Sequence, residues 1–158
     1  MAFTFSNFAQ YRSKLAKEKV ILDPAERRAL ILTQATELAE SKGLMLADDP
    51  ALLNEVANLV EWPMIYMGSI DDTFMEIPTE VLITSMKSHQ KYFPCLDARG
   101  DLANRFIIVA NMDTKDGGAH LVAGNERVLR ARLSDAKFFW DQDRKTSLAD
   151  KVSMLEER

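Results

Sequence analysis

Cysteine is almost missing from this chain. Cys95 is the single one, so there is no internal disulfide framework, and the chain fits a reducing compartment. Histidine occurs only as His89 and His120, which with one thiol makes no zinc set. The six glycines form no phosphate-cradling loop, and Gly117-Gly118 alone is too short a signal for one. No apolar run is long enough to cross a bilayer. The N-terminus, Met1-Ala2-Phe3-Thr4-Phe5, lacks a basic segment followed by an apolar one, so no secretory signal is read and a cytoplasmic location is expected. An excess of positive charge is lacking too. The net charge of -4 argues against nucleic-acid affinity driven by bulk charge and leaves only a local basic patch as a candidate.

What is present is ordinary for a globular domain. The chain has 158 residues, 47% hydrophobic and 28% charged, enough for one sizeable core or two small ones. Ser6 is read as the N-cap of a first helix through Phe8, Tyr11 and Leu15. Asp23-Pro24 and Asp49-Pro50 each place a capping carboxylate before a proline at the first helical position. The second helix then buries Leu30, Ala35, Leu38 and Ala39, turns Glu26, Arg27, Arg28 and Glu37 outward, and ends at Gly43. The third has Leu52, Leu53, Val56, Leu59 and Val60 on its apolar face.

Trp62-Pro63 breaks that pattern. Met64 to Gly68 reads as a strand, Phe74 to Ile77 as a second, and Pro78-Thr79-Glu80 opens a helix through Val81, Leu82, Ser85, Met86 and His89. Tyr92 to Leu96 and Arg105 to Ala110, joined by the turn Asp97-Ala98-Arg99-Gly100, read as a hairpin. A loop at Asp116-Gly117-Gly118 precedes a long basic helix, and Thr146-Ser147-Leu148 starts a last one. The abrupt end at Glu157-Arg158, still helical in pattern, suggests a piece of a longer protein. The expectation is an α+β fold: N-terminal helices, then a small mixed or antiparallel sheet with packed helices. It divides into a helical segment 1–60, an α+β core 61–145 with the basic helix at 125–144, and a further helix begun in 146–158.

The basic helix is the most informative stretch. It is expected to open near Asn125, with Leu129, Leu133, Ala136 and Trp140 on one narrow stripe. Arg127, Arg130, Ser134, Lys137, Asp141 and Arg144 fall on the flank beside it. Two readings stand. In one, the arginines pair with Glu126, Asp135, Asp141 and Asp143 on a solvated face. In the other, Arg127, Arg130, Arg132 and Lys137, with Asn125, contact phosphates.

His89 and Lys91 lie where a helix hands over to a strand. There His89 is either a general base or phosphate donor, or a cap of the helix C-terminus. His120 is placed on a loop. Asp71, Asp72, Asp113 and Asp116 fit turn and cap roles, not a calcium loop. Cys95 is expected in the core. Phe138-Phe139-Trp140 and Trp62 could stack on bases, though burial is the expectation for most of them. No nucleophile motif is visible, so the residues by themselves describe a non-catalytic domain with one basic flank and no metal site.

Three strings carry a resemblance: Leu59-Val60-Glu61-Trp62-Pro63, the stretch from Ile77 to Pro94 with His89-Gln90-Lys91-Tyr92-Phe93 near its end, and the stretch from Ala123 to Phe139. In order and spacing they resemble the β subunit of bacterial glycyl-tRNA synthetase, as does Val20-Ile21 with Asp23, Glu26-Arg27-Arg28 and Ile31. The likeness covers nearly all of this chain and a minor interior part of that subunit. It implies an α2β2 enzyme that joins glycine to its tRNA using ATP and magnesium. Those cofactors belong to the class II site of the α subunit, and none is implied within this chain. The β subunit's phosphohydrolase-like and anticodon-binding modules would lie beyond residue 158, so no functional residue of theirs transfers here. The implied partners are the α subunit and glycine tRNA, with no membrane. A tRNA-handling module is the first expectation, with Arg127, Arg130, Arg132 and Lys137 foremost and His89 and Lys91 behind them. The alternative is an assembly module that contacts the α subunit or other β-subunit domains.

Overall fold

The computed structural model describes residues 4–145; the last expected helix, at Thr146, lies outside them. The elements run α1 (Phe8–Lys17), α2 (Pro24–Glu40), β1 (Met45–Leu46), α3 (Pro50–Leu59) and β2 (Met64–Ser69). A short 3₁₀ turn (Asp72–Phe74) follows, then α4 (Thr79–Gln90), β3 (Phe93–Leu96), β4 (Leu102–Ala110) and α5 (Ala119–Asp143). The four strands form one antiparallel sheet in the order β1-β3-β4-β2. This is the expected α+β arrangement.

Strand alternation builds two cores from one sheet. On one face Ile107, Phe93 and Cys95 meet Ile31, Ala35 and Ala39 of α2 and Leu53, Val56 and Ala57 of α3. On the other, Phe106 and Ile108 meet Leu82 and Met86 of α4 and Leu129 and Leu133 of α5. The sheet therefore lies between two helical layers. Cys95 is fully buried, and burial pushes its thiol up to about 11, with nearby Arg105 partly offsetting.

The start signals read from the sequence operate as expected in α2 and α3. Asp23 accepts from the Ala25 amide at 2.8 Å and Asp49 from the Leu52 amide at 2.9 Å. Gly43, at φ 70°, closes α2 with the Leu44 amide bonded back to the Ala39 carbonyl.

Five local readings are corrected. The cap of α1 is Asn7, which accepts from the Gln10 amide, while the Ser6 amide donates to the Gln10 side chain. Arg27 is not turned outward: its guanidinium donates to the carbonyls of Ala57 at 2.8 Å and Ile21 at 2.6 Å, tying α2 to the end of α3. Leu59 is 62% exposed, because the helix stops there and the extended Val60 takes the inward place. Phe74 to Ile77 is no strand. Asp71 caps a tight turn through the Thr73 amide, and the Ile77 amide bonds to the Phe74 carbonyl, so the hydrogen bonds are local. Finally, α5 begins at Ala119, not near Asn125, and carries Gly124 in its interior.

One close approach fixes the sheet. Gly68 pairs with Phe106 across β2 and β4, and a Cβ at Gly68 would stand 2.5 Å from Cζ of the Phe106 ring. The ring, fully buried, occupies the space a side chain would need. Gly68→Ala should therefore cost about 1–3 kcal/mol through overpacking, read as a lower urea midpoint; a midpoint equal to the parent's would contradict this packing.

Candidate nucleic-acid interface

The start of α5 is set by Asp116 rather than by Asn125. Its carboxylate accepts from the Gly118 amide at 3.2 Å and the His120 amide at 2.9 Å, and lies 2.6 Å from the His120 ring Nδ1. These bonds, the His120 amide first, hold the Asp116 carboxyl well below the usual range. His120 is thus in the first helical turn, not on a loop. Asp71 and Asp116 both act as turn and cap groups, as the sequence indicated.

Leu129 and Leu133 are 1% exposed and seat α5 on the sheet. Ala136 packs beside them, and Trp140 is half-buried with the Arg144 guanidinium 5.9 Å from its ring centroid. Phe138 and Phe139 depart from the expectation of burial: they are 58% and 64% exposed, their rings edge-on at 5.5 Å. They follow the apolar stripe in sequence but point off it, since helical spacing turns residues 138 and 139 away from the face held by Leu129 and Leu133.

The cations of α5 fall into two groups. Lys137 reaches Glu76 at 3.3 Å and Asp141 at 3.5 Å, and Arg130 reaches Asp71 at 3.9 Å. Except for Asp141, these carboxylates come from the loop before α4 and not, as one reading supposed, from α5 itself. Glu126 is not an arginine partner either: it accepts from the Ser69 amide at 2.7 Å and hydroxyl at 2.6 Å, joining α5 to the end of β2. The Arg130 contact is long and 63% of its side chain is exposed, so its guanidinium is lightly held. Arg127 and Arg132 are exposed and make no hydrogen bond or ion pair among the described residues. They are the free guanidinium groups of this helix.

Asn125 is committed to structure. The Tyr92 hydroxyl donates to its Oδ1 at 2.6 Å, and its amide donates to the Leu121 carbonyl at 2.7 Å. Burial pushes the Tyr92 hydroxyl up to about 12, and the charge of Arg132 only partly offsets it. Lys91 closes α4 in the left-handed region at φ 57° and pairs with Glu55 of α3 at 2.7 Å. A second pair, Lys87 with Asp49, runs beside it. The structure therefore draws Lys91 toward α3 and away from the α5 cations. His89 is exposed in the last turn of α4. The opposing carboxylates Asp71, Glu76 and Glu55 were not anticipated as partners, because each comes from an element distant in sequence.

Over residues 1–158 the chain matches the family described as Glycyl-tRNA synthetase beta subunit. It is 57% identical over 152 residues to the glycine–tRNA ligase beta subunit of Rhodospirillum centenum, covering 96% of this chain and 21% of that protein. The beta subunit of Ruegeria sp. is 51% identical over 89% of this chain and 20% of its own length. That of Phenylobacterium zucineum is 47% identical over 97% and 23%. The chain thus spans about a fifth of the length of these relatives.

The Tyr92–Asn125 contact has a direct readout. Asn125→Ala leaves the buried Tyr92 hydroxyl with only the long contact to Gln90 Oε1 at 3.5 Å and should cost about 1–3 kcal/mol in urea unfolding. Because the Tyr92 pKa is raised on folding, its contribution is complete below the unfolded value near 10 and is lost as pH rises toward about 12. Ultraviolet titration should show a late phenol step that Tyr92→Phe removes; its absence from the parent would contradict the burial.

Proposed function

The chain belongs to the glycyl-tRNA synthetase β-subunit family, and on that premise we propose that it is a non-catalytic tRNA-handling module of a glycine–tRNA ligase. The enzyme is proposed to be a cytoplasmic α2β2 assembly whose α subunit binds ATP and magnesium and forms the adenylate. The observation that carries the role is the pair of free guanidinium groups, Arg127 and Arg132, on a helix held rigidly by Leu129, Leu133 and Asn125. Such groups meet phosphate oxygens through a preformed fork of donors. Arg130 adds a weakly committed charge, while Lys137 is already paired. The acidic whole requires that contact be local, within about 8 Å of these side chains at physiological salt.

The test is a salt series of glycine-tRNA binding with an unrelated tRNA alongside. Changing Arg127 and Arg132 together to Ala should weaken binding and lower the salt slope by about 2. The pair Arg130→Ala and Lys137→Ala should do less. Parent-like binding by the first pair at every salt concentration would overturn the role.

A second reading rests on Phe138 and Phe139, together with Val128 at 45% exposure. Exposed apolar groups on one helix suit a protein contact, which makes this an assembly module toward the α subunit or the remainder of the β subunit. In that case Phe138→Ala with Phe139→Ala loses α–β association by light scattering while tRNA affinity is kept. Retained association together with lost tRNA binding would reject it.

A further inference from the structure

A cleft of about 280 Å³ opens between α2 and the link from β1 to α3, on the sheet face opposite α5. Its walls are Ile31, Leu32, Leu46 and Leu53, with Phe93 of β3 beside them. This volume equals about nine waters. It lies at the small end of ligand sites. The apolar walls exclude a polar occupant from the floor. Leu32 is 46% exposed at the mouth.

Two charged side chains of opposite sign line the same cleft. Arg28 stands on α2 one helical turn before Leu32, so it shares that wall. Asp48 stands across from it, in the link that follows β1. Neither makes a hydrogen bond or ion pair among the described residues. The adjacent Asp49 is different: it caps α3 through the Leu52 amide and pairs with Lys87, and these contacts hold its carboxyl below the usual range. Of the charged groups among the described residues that line the cleft, Arg28 and Asp48 are therefore the ones available to a ligand.

We propose that this cleft binds a zwitterionic α-amino acid with a large apolar side chain. The Arg28 guanidinium receives the carboxylate as a bidentate acceptor, Asp48 receives the ammonium, and the side chain enters between α2 and α3. Opposite charges at one rim match a free amino acid better than a fatty acid, which lacks the cation, or an amine, which lacks the anion. The volume suits one residue rather than a peptide. Glycine, with no side chain to fill the apolar volume, is excluded by the same geometry, so this site is distinct from any that serves aminoacylation. The proposal is independent of the tRNA-handling role.

The test is a methyl-detected NMR titration of the whole chain with L-leucine, glycine, 4-methylpentanoate and 3-methylbutylamine. Leucine should shift the Ile31, Leu32 and Leu53 methyls saturably, and glycine should not. Each singly charged analogue should bind about tenfold or more weakly. Arg28→Gln should reduce leucine to the level of 3-methylbutylamine and leave that amine unchanged. Leu32→Trp, which plugs the mouth from an exposed position, should abolish all the shifts. Absence of a saturable response to leucine up to its solubility limit overturns the proposal. So do equal affinities for leucine and both analogues, which would mark an apolar slot without charge recognition.

Discussion

Phe106 lies across Gly68, and much of the molecule's geometry follows from that contact. The ring needs the missing Cβ, so β2 and β4 pair in one register only. The same ring stacks on Tyr92, with centroids 4.7 Å apart. Tyr92 in turn gives its hydroxyl to Asn125. A continuous path of packed and hydrogen-bonded groups thus runs from a strand glycine to the middle of α5. It fixes the rotation of that helix about its own axis as well as its position, because Asn125, Leu129 and Leu133 all face inward.

Rotation decides which charges are available. With the inward stripe set, Lys137 and Arg130 turn toward the loop before α4, where Glu76 and Asp71 partly neutralise them. Arg127 and Arg132 meet no carboxylate among the described residues. The helix is therefore not uniformly basic. Arg130 and Lys137 are partly spent and Arg127 and Arg132 are not, and the distinction comes from the tertiary placement of Asp71 and Glu76. The same sheet supports the cleft on its opposite face, where Phe93 forms part of the wall.

Much of this was legible in the residues. The paired signals Asp23-Pro24 and Asp49-Pro50 mark helix starts because a capping carboxylate and a preset φ act locally. The hairpin around Asp97 to Gly100 and the burial of Leu129, Leu133 and Cys95 were equally plain. What escaped depended on groups remote in sequence or slightly out of place. The start of α5 was missed because Asp116 caps from beyond Gly118, and because Gly124 resembles a boundary while sitting inside the helix. Phe74 to Ile77 has strand composition, but its hydrogen bonds are taken up locally by the Asp71 cap and the Phe74 carbonyl. The free state of Arg127 and Arg132, and the pairing of Lys91 with Glu55, emerge only when distant elements meet.

The central claim is that Arg127 and Arg132 are the guanidinium groups available to phosphate. The most direct test observes the arginine Nε–H signals of the whole chain while glycine tRNA is added. Saturable, salt-sensitive shifts at Arg127 and Arg132, ahead of Arg130 and with the Arg27 signal still, would agree with the account. Shifts led by Arg130, or none at Arg127 and Arg132 under saturating tRNA, would contradict it.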